Sequence, residues 1–340
     1  MAVQPPGTGV VEQPALWLGM AGFAPAQRSA LEAAIGRATG SCRWSVCAFA
    51  DGDGWWVNGA KCSIAAGNRL KVGAGLPTEH SLKLELKEVD RPLAFAQPLA
   101  TKDLEVLCVF NPESEPTIRA ALQQFEGWLL PLRAQFVLGA LIARRDSEDR
   151  RGTYHVSHRG TLLAVLDFQQ GMAAMSGRAH PTELWQATWE KRPPGAGQPP
   201  QGFATCTITQ LAWAYVRRSE RDMLPARYRK EMVYYRHVPR VPLRWLRDSQ
   251  LMLLRELSSQ PGTLLTLRER TALPLDQLAH DLACLYYAGS VTTSPETAGP
   301  YSFTDDGAVD SMGLWPEGSP SNGGPRQDLT APALLERKPN

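Results

Sequence analysis

The sequence lacks the features that mark several large classes of protein. None of its apolar runs approaches the roughly 18 residues that a membrane-spanning helix needs. Its first residues, MAVQPPGTGVVEQP, have neither the basic start nor the apolar core of a signal peptide. None of the six cysteines has C-x-x-C spacing, which argues against a structural zinc site or a thioredoxin-like centre. We therefore expect a cytoplasmic protein without membrane insertion, whose cysteines are small core residues.

The usual signatures of catalysis are missing as well. There is no G-x-S-x-G turn, and the glycines around Val72 lack the lysine and the following helix of a phosphate-binding loop. His155 and His158 lie three residues apart in a predicted strand, so they point to opposite faces and do not chelate one metal together. We predict no catalytic residue, no metal and no cofactor. A hydrolase built on His155, His158 and Asp167 stays open only as an alternative without an identified nucleophile.

What is present is a globular composition with polar ends. Of the 340 residues, 43% are hydrophobic and 21% are charged, which suits two or three folded domains. Residues 1–14 and 295–340 are rich in Pro, Gly and Ser, and we expect them to be a flexible N-terminus and a disordered tail. The tail contains an isolated apolar pair, Leu314-Trp315, which is either a docking motif or a chance hydrophobic pair.

Residues 15–145 show an alternation of strand and helix patterns that predicts a doubly wound α/β domain. The pattern predicts a helix from Pro25 to about Ala38 and a long helix from Glu115 to Arg145, which Pro131 should kink or split. Strands are expected at 16–20, 44–49, 55–57, 82–86, 93–95 and 104–110.

This order resembles the receiver domain of bacterial response regulators. A receiver has acids after its first strand, a phosphoacceptor aspartate after its third and a lysine after its fifth. Here Gly19 to Phe23 contain no acid, Asn58 stands at the phosphoacceptor position, and Gln97-Pro98 follow the strand at Leu93. The resemblance therefore implies a degenerate receiver-like domain that cannot be phosphorylated by the usual route.

Residues 152–240 predict a β-meander with helices. With the Gly-Met-Ala-Ala-Met return strand at 171–175 and the helical module that follows, residues 152–293 resemble the PATAN-type interaction domains of bacterial signalling proteins. Residues 241–294 contain three helix-length apolar patterns, and the first runs through Trp245 to Leu257 and is stopped by Gln260-Pro261-Gly262. The second fits Leu264 to Thr271, and the third runs from Pro274 to Gly289 before a short strand at Ser290–Thr293. This layout predicts a winged-helix-like module. The expected fold class is thus α/β plus α+β.

Two clusters of positive charge suggest further partners. The sequence from Arg217 to Arg247 contains ten Lys or Arg and three acids, a local charge of +7, and aromatic residues lie between them. A DNA-binding regulator would use Arg227, Arg229, Lys230, Arg236, Arg240, Arg244 and Arg247. The third predicted helix of the module carries Asp276 and Asp281 without Lys or Arg, which disfavours groove binding.

The second cluster is Arg144, Arg145, Arg150 and Arg151, which resembles the arginine-rich entry of PilZ domains and would bind cyclic di-GMP. A solvated linker with internal salt bridges is the alternative interpretation. Taken together, the patterns predict a non-enzymatic bacterial regulatory or adaptor protein that acts through protein–protein interaction in signal transduction. A DNA-binding transcriptional regulator and a cyclic di-GMP receptor stay open as alternatives.

Overall fold

The computed structural model describes residues 2–3, 12–65, 69–77, 79–100, 108–144, 151–193 and 196–299. The described residues form two compact units. Unit 1 contains the residues up to Cys206 and the segment Arg218–Glu220, and unit 2 contains Thr207–Arg217 and the residues from Arg221 onward. The predicted flexible termini lie largely outside the described residues, and so does the predicted boundary at residue 145.

The secondary structure is mixed α/β. The strands are β1 (Ala2–Val3), β2 (Ala15–Ala21), β3 (Arg43–Cys47), β4 (Gly54–Asn58), β5 (Cys62–Ala65), β6 (Arg69–Val72), β7 (Leu82–Glu85), β8 (Leu93–Ala96), β9 (Val109–Phe110), β10 (Thr153–His158), β11 (Thr161–Asp167), β12 (Met172–Ser176), β13 (Thr188–Arg192), β14 (Phe203–Thr207), β15 (Tyr234–Tyr235) and β16 (Val291–Thr292). The α-helices are α1 (Pro25–Arg37), α2 (Glu115–Trp128), α3 (Leu130–Ala143), α4 (Pro181–Trp185), α5 (Ile208–Arg218), α6 (Arg227–Lys230), α7 (Asp248–Ser259), α8 (Leu264–Thr271) and α9 (Leu275–Tyr287). Short 3-10 helices lie at Phe49–Asp51, Gly59–Lys61, Leu243–Trp245 and Pro295–Thr297.

The first half of unit 1 is built on a parallel sheet with the order β3-β2-β4-β8-β9. Counted along the chain, these strands stand in the order second, first, third, fourth, fifth, a common doubly wound order. One face of the sheet packs on α1 and α2, through Leu31 and Ile35 of α1 and Phe125 of α2. Apolar side chains at this spacing form one stripe on each helix, which is why both helices lie against the sheet.

The opposite face of the parallel sheet is covered by a second sheet instead of helices. The strands β5, β6 and β7 form this antiparallel sheet, and Cys62, Leu70 and Val72 pack on Val57 and Phe95 of the parallel sheet. The prediction that the strand at 82–86 belongs to the main sheet is therefore wrong. The exposure of β7 alternates along the strand, as expected for a covering layer with one face in solvent. The fifth parallel strand is β9, and it is followed by Asn111-Pro112, again without a lysine.

The predicted break at Pro131 is confirmed. The helical pattern divides into α2 and α3, whose axes differ by 66°. Pro131 lies in the first turn of α3, where its missing N–H has no helical acceptor to lose. Within the described residues no single helix is long and apolar enough to cross a membrane, and only this bent pair reaches the required length and composition when counted together.

The second half of unit 1 is a six-stranded sheet with the order β1-β13-β10-β11-β12-β14. The predicted meander is confirmed as β10, β11 and β12. Arg159 and Gly160, both with positive φ, make the two-residue turn between β10 and β11. One of the helices expected after the meander is short, because the chain leaves α4 at Trp185 and enters β13 at Thr188.

Unit 2 is a helical module with a small sheet. Leucines at positions 253, 257, 264, 267, 278, 282 and 285 are at most 5% exposed and form the core between α7, α8 and α9. The predicted second and third helices are confirmed, whereas α7 begins at Asp248, later than predicted, because Leu243–Trp245 form a 3-10 helix. Gly289, with φ of +79°, ends α9, and the next N–H, of Ser290, bonds the carbonyl of Leu285. The strand β16 then pairs with β15 from upstream.

Candidate functional site

The carboxyl edge of the parallel sheet is the place where doubly wound proteins bind ligands. Asn58, at the predicted phosphoacceptor position, ends β4 and is 8% exposed. Its amide Nδ2 donates to the Gly22 carbonyl at 3.0 Å, and its Oδ1 accepts the Ala60 N–H at 3.1 Å. The side chain therefore fastens the end of β4 to the loop after β2, and its hydrogen-bonding groups face inward.

A loop from the second sheet covers the same edge. Gly75 lies so close to the β2–α1 loop that a Cβ atom there would stand 2.1 Å from the Phe23 carbonyl oxygen and 2.4 Å from the Phe23 nitrogen. Glu79 accepts the Gly75 N–H at 3.0 Å, and the Lys61 ammonium donates to the Ala74 carbonyl at 2.7 Å. The crevice between the first and third parallel strands is therefore filled by protein backbone.

Two of the three side chains of the hydrolase alternative, His155 and Asp167, are held by structural contacts. The His155 ring nitrogen Nε2 lies 3.0 Å from the Ala196 carbonyl oxygen. Asp167 accepts the N–H groups of Gln169 and Gln170 at 2.9 and 3.0 Å, so its carboxylate caps the turn after β11. Between β10 and β11 the register shifts at Val156 and Ser157, but the extra residue is on β11, so the histidines keep their opposite faces.

Five of the six cysteines are unsuited to nucleophilic chemistry. Burial raises the pKa of Cys42, Cys206 and Cys284 to about 12 and the pKa of Cys62 and Cys108 to about 11. These thiols are protonated at neutral pH, and only the thiolate is a good nucleophile or metal ligand. Within the ranges that the structure describes, no three His, Cys, Asp or Glu side chains are grouped to hold a metal ion.

The arginine cluster predicted for cyclic di-GMP is only partly described. Arg145 and Arg150 lie outside the described residues. Arg144 is exposed and its guanidinium stacks over the ring of Trp185 at 4.8 Å, and Arg151 is exposed before β10. A stacked arginine on an aromatic ring is a contact that also occurs without a ligand.

The basic block between Arg217 and Arg247 is not one positive surface. Arg218 is 6% exposed and forms a bidentate ion pair with Asp53, with both N–O distances at 2.7 Å. It also donates to the Ala15 carbonyl at 3.1 Å and stacks over Trp17 at 4.9 Å. Arg218 is therefore a structural residue of unit 1 and is not available to phosphate, which the local charge of +7 did not reveal.

Of the seven predicted DNA-binding residues, Arg227, Arg229, Lys230, Arg236 and Arg240 are exposed and lie in unit 2. Arg247 is half-buried, and the side chain of Arg244 lies outside the described residues. The exposed residues are not all free, because Arg229 pairs with Asp222 and the Arg227 guanidinium stacks over Tyr228 at 5.4 Å.

The expected acidic surface of the third helix is wrong in part. Asp281 of α9 is fully buried, and its Oδ1 accepts a hydrogen bond from Gln250 of α7 at 3.0 Å. His280 is half-buried, and its burial is the largest cause that lowers its pKa from the ordinary value. Only the first turn of α9, Leu275 to Gln277, is exposed. The helix is buried on nearly all sides, so it does not present a face to a DNA groove.

A surface that the sequence patterns missed runs along residues 232–243. In it Met232, Arg236, Val238, Arg240 and Leu243 are exposed, whereas Val233 and Val241 are buried. From residue 236 to 241 exposed even-numbered residues alternate with less exposed odd-numbered ones, which gives this part of the segment one outward face. We call these five exposed residues the 232–243 strip. No polar–apolar alternation in the sequence marks this surface, since the apolar Met232 and Val238 are among its exposed residues.

Known proteins offer no comparison for these surfaces: no family model, no curated protein and no solved structure matches the chain.

Proposed function

We propose that this chain is a non-enzymatic regulatory or adaptor protein that acts through protein–protein contacts of unit 2. The distribution of exposed apolar side chains carries the proposal. Nine large apolar side chains of the described residues are 38% to 62% exposed, and six of them lie in unit 2. Unit 2 holds only about a third of the described residues, so its surface is enriched in exposed apolar side chains. Covering such side chains with a partner is favourable, because it removes apolar surface from water.

The fold supports a signalling role. The strand order of the parallel sheet and the position of Asn58 fit a receiver-like domain without its acids, and the meander β10–β12 fits a PATAN-type region. The order α7, α8, α9 and β16 fits a winged-helix-like module, in which the upstream strand β15 pairs with β16. Such a chain would transmit a signal by contact, because the carboxylate that takes phosphate in a receiver is replaced by an amide.

The absence of a formed reaction centre within the described residues also favours an interaction protein. The crevice at the carboxyl edge of the parallel sheet is filled by the loop at Gly75, and the buried thiols are protonated. His155 and Asp167 are occupied by backbone contacts. None of these groups is placed to act as an activated nucleophile beside a base.

Affinity capture with matched variants tests the proposal. The full-length chain is immobilised, and bound proteins from a lysate of its own organism are quantified by mass spectrometry. The double variant Val238→Asp with Leu243→Asp should lose a partner that the wild type retains, because buried apolar contacts dominate most interfaces. The variant Ile64→Asp with Met172→Asp is the control, because these exposed apolar residues lie in unit 1. Equal capture by all three chains would contradict the proposal.

DNA binding is the second candidate, and the exposed Arg227, Lys230, Arg236 and Arg240 favour it. Positive side chains on a segment that is fixed by backbone hydrogen bonds can contact phosphates without a recognition helix. Fluorescence anisotropy of a labelled duplex with the full-length chain at two salt concentrations tests this candidate. Micromolar binding that weakens steeply with salt, and weakens further in Arg236→Glu with Arg240→Glu, would support it. A duplex that does not bind at low salt would exclude it.

A further inference from the structure

The 232–243 strip is held in place along its length. Val233 and Gly262 exchange two backbone hydrogen bonds at 3.0 and 3.1 Å, and β15 pairs with β16. Further along, the Arg236 N–H bonds the Ser290 carbonyl at 2.8 Å, and the Arg240 N–H bonds the Ala288 carbonyl at 3.0 Å. The outward side chains therefore project from a backbone whose position is fixed before any partner arrives, which lowers the entropy lost on binding.

The chemistry of the strip fits a partner that is both acidic and apolar. Arg236 and Arg240 alternate with Val238, which is 58% exposed, and Leu243 is 54% exposed. A nucleic acid would pair with the guanidinium groups but would leave the apolar side chains without a complementary surface. A peptide segment with carboxylates and large apolar side chains would satisfy both kinds of group.

The chain itself contains such a segment. Residues 303–317 read FTDDGAVDSMGLWPE, with four acids and no Lys or Arg. Their large apolar residues are Phe303, Val309, Met312, Leu314 and Trp315. This is the part of the sequence in which the pair Leu314-Trp315 suggested a docking motif.

The described chain ends beside the strip. Gly299, the last described residue, donates its N–H to the Tyr235 carbonyl at 2.9 Å. A Cβ atom on Gly299 would lie 2.2 Å from the Arg236 carbonyl oxygen, so the two backbones are in direct contact. At about 3.3 to 3.6 Å per extended residue, the sixteen residues that follow Gly299, up to Trp315, reach up to about 55 Å, more than the roughly 40 Å that the strip spans at most.

We propose that the acidic segment 303–317 binds the 232–243 strip of the same chain, with its carboxylates on Arg236 and Arg240 and its apolar side chains on Met232, Val238 and Leu243. Because the segment is tethered next to the strip, its effective concentration is in the millimolar range, and a weak contact is enough to occupy the strip. An outside protein that uses the strip must then displace the segment. This regulation rests on the proposed function, but the binding of the segment does not.

Site-specific crosslinking in the full-length chain tests the proposal. A benzophenone amino acid replaces Trp315, the protein is irradiated at low concentration, and the crosslinked peptides are identified by mass spectrometry. We expect an intramolecular crosslink to the peptide that contains residues 232–243. Its yield should fall by about tenfold in Arg236→Glu with Arg240→Glu, which corresponds to about 1.4 kcal/mol.

Two further variants separate a specific contact from a general loss of charge or fold. Adding Asp305→Arg and Asp306→Arg to the charge-reversed chain should restore the crosslink, because the signs of both partners are exchanged. The control Arg255→Glu with Arg268→Glu reverses two exposed arginines of α7 and α8 and should leave the yield unchanged. Far-UV circular dichroism checks that each variant is folded.

A crosslink that maps outside 232–243, or one whose yield is equal in all variants, would overturn the proposal. So would duplex DNA binding that depends on Arg236 and Arg240 while the crosslink from position 315 is absent. Since the crosslink needs no outside protein, its failure is distinguishable from a failure of the capture experiment.

Discussion

The ion pair between Arg218 and Asp53 gives a prediction whose magnitude follows from its burial. The side chains are 6% and 10% exposed, and the bidentate geometry is supplemented by bonds from Arg218 to the Ala15 carbonyl and from the Trp17 N–H to Asp53. Replacing one partner leaves the other charge buried without its counterion, which costs about 3 to 5 kcal/mol. We expect Asp53→Ala to lower the free energy of unfolding of unit 1 by about this amount.

A second ion pair of unit 1 provides the matched control. Arg37 and Glu115 also form an Arg–carboxylate pair, but they are 61% and 56% exposed. An exposed pair contributes about 0 to 1 kcal/mol, so Glu115→Ala should have a small effect. Hydrogen exchange measured by mass spectrometry on peptides from β2 and β4 reports the stability of unit 1 alone, which matters because a chain of two units need not unfold in one step.

The double variant Asp53→Ala with Arg218→Met completes the thermodynamic cycle. Methionine fills part of the space over Trp17 without a charge, so the double variant should cost less than the sum of the single variants, by about 2 kcal/mol or more. The reasoning is refuted if Asp53→Ala costs no more than Glu115→Ala. Strict additivity of the two single costs would refute it equally, because the charges would then not interact.

Three other predictions follow from single residues. Gly75→Ala should destabilise unit 1 by more than about 2 kcal/mol, because its Cβ would overlap the Phe23 backbone. Gly36→Ala, in a helix with open space around it, should raise stability by roughly 0.5 to 1 kcal/mol. Thermal unfolding of both variants tests this, and equal changes in melting temperature would contradict a covered sheet edge. The variant Asn58→Asp should not be phosphorylated by acetyl phosphate and Mg²⁺, because the residues after the first strand supply no acid to hold the ion. A phosphorylated aspartate in the mass spectrum would show that the carboxyl edge of the parallel sheet is open. The pKa of His280 is lowered from its ordinary value of 6.5, chiefly by burial, so the unfolded chain binds the proton more readily than the folded chain. The contribution of neutral His280 to the free energy of unfolding should be fully present above about pH 6.5 and should fall as the pH decreases below it. Urea unfolding at pH 7.5 and 5.5 should show a smaller loss in His280→Gln, and an unchanged loss would assign it to other groups.

The elements that the sequence predicts well are those whose ends are fixed by neighbouring residues. The second helix of the module begins where the Thr263 hydroxyl accepts the Thr266 N–H, and the third ends at Gly289 with its positive φ. Pro131 acts in the same local way, because a proline N lacks the hydrogen that a helix interior requires. These signals lie within four residues of the feature that they determine.

The predictions that failed depended on residues far apart in the chain. Arg218 looked like one more charge in a basic block, but its partner Asp53 is 165 residues away, and no local pattern links them. The strand at 82–86 looked like a member of the main sheet because its apolar residues suit either layer. Its assignment was decided by pairing with β6. The winged-helix and receiver resemblances stay predictions, as does the cyclic di-GMP site, half of whose arginines lie outside the described residues.

The burial of α9 changes the argument about DNA. On sequence alone, Asp276 and Asp281 counted against groove binding because acids repel phosphate. In the structure Asp281 has no access to a ligand at all, and the main chain of Arg217 occupies a position beside His280. A nucleic-acid contact of the basic block would then come from exposed side chains such as Arg236 and Arg240, and the exposed Val238 between them does not match phosphate. The same burial that removes α9 as a recognition helix therefore favours the proposal that the 232–243 strip binds a protein segment.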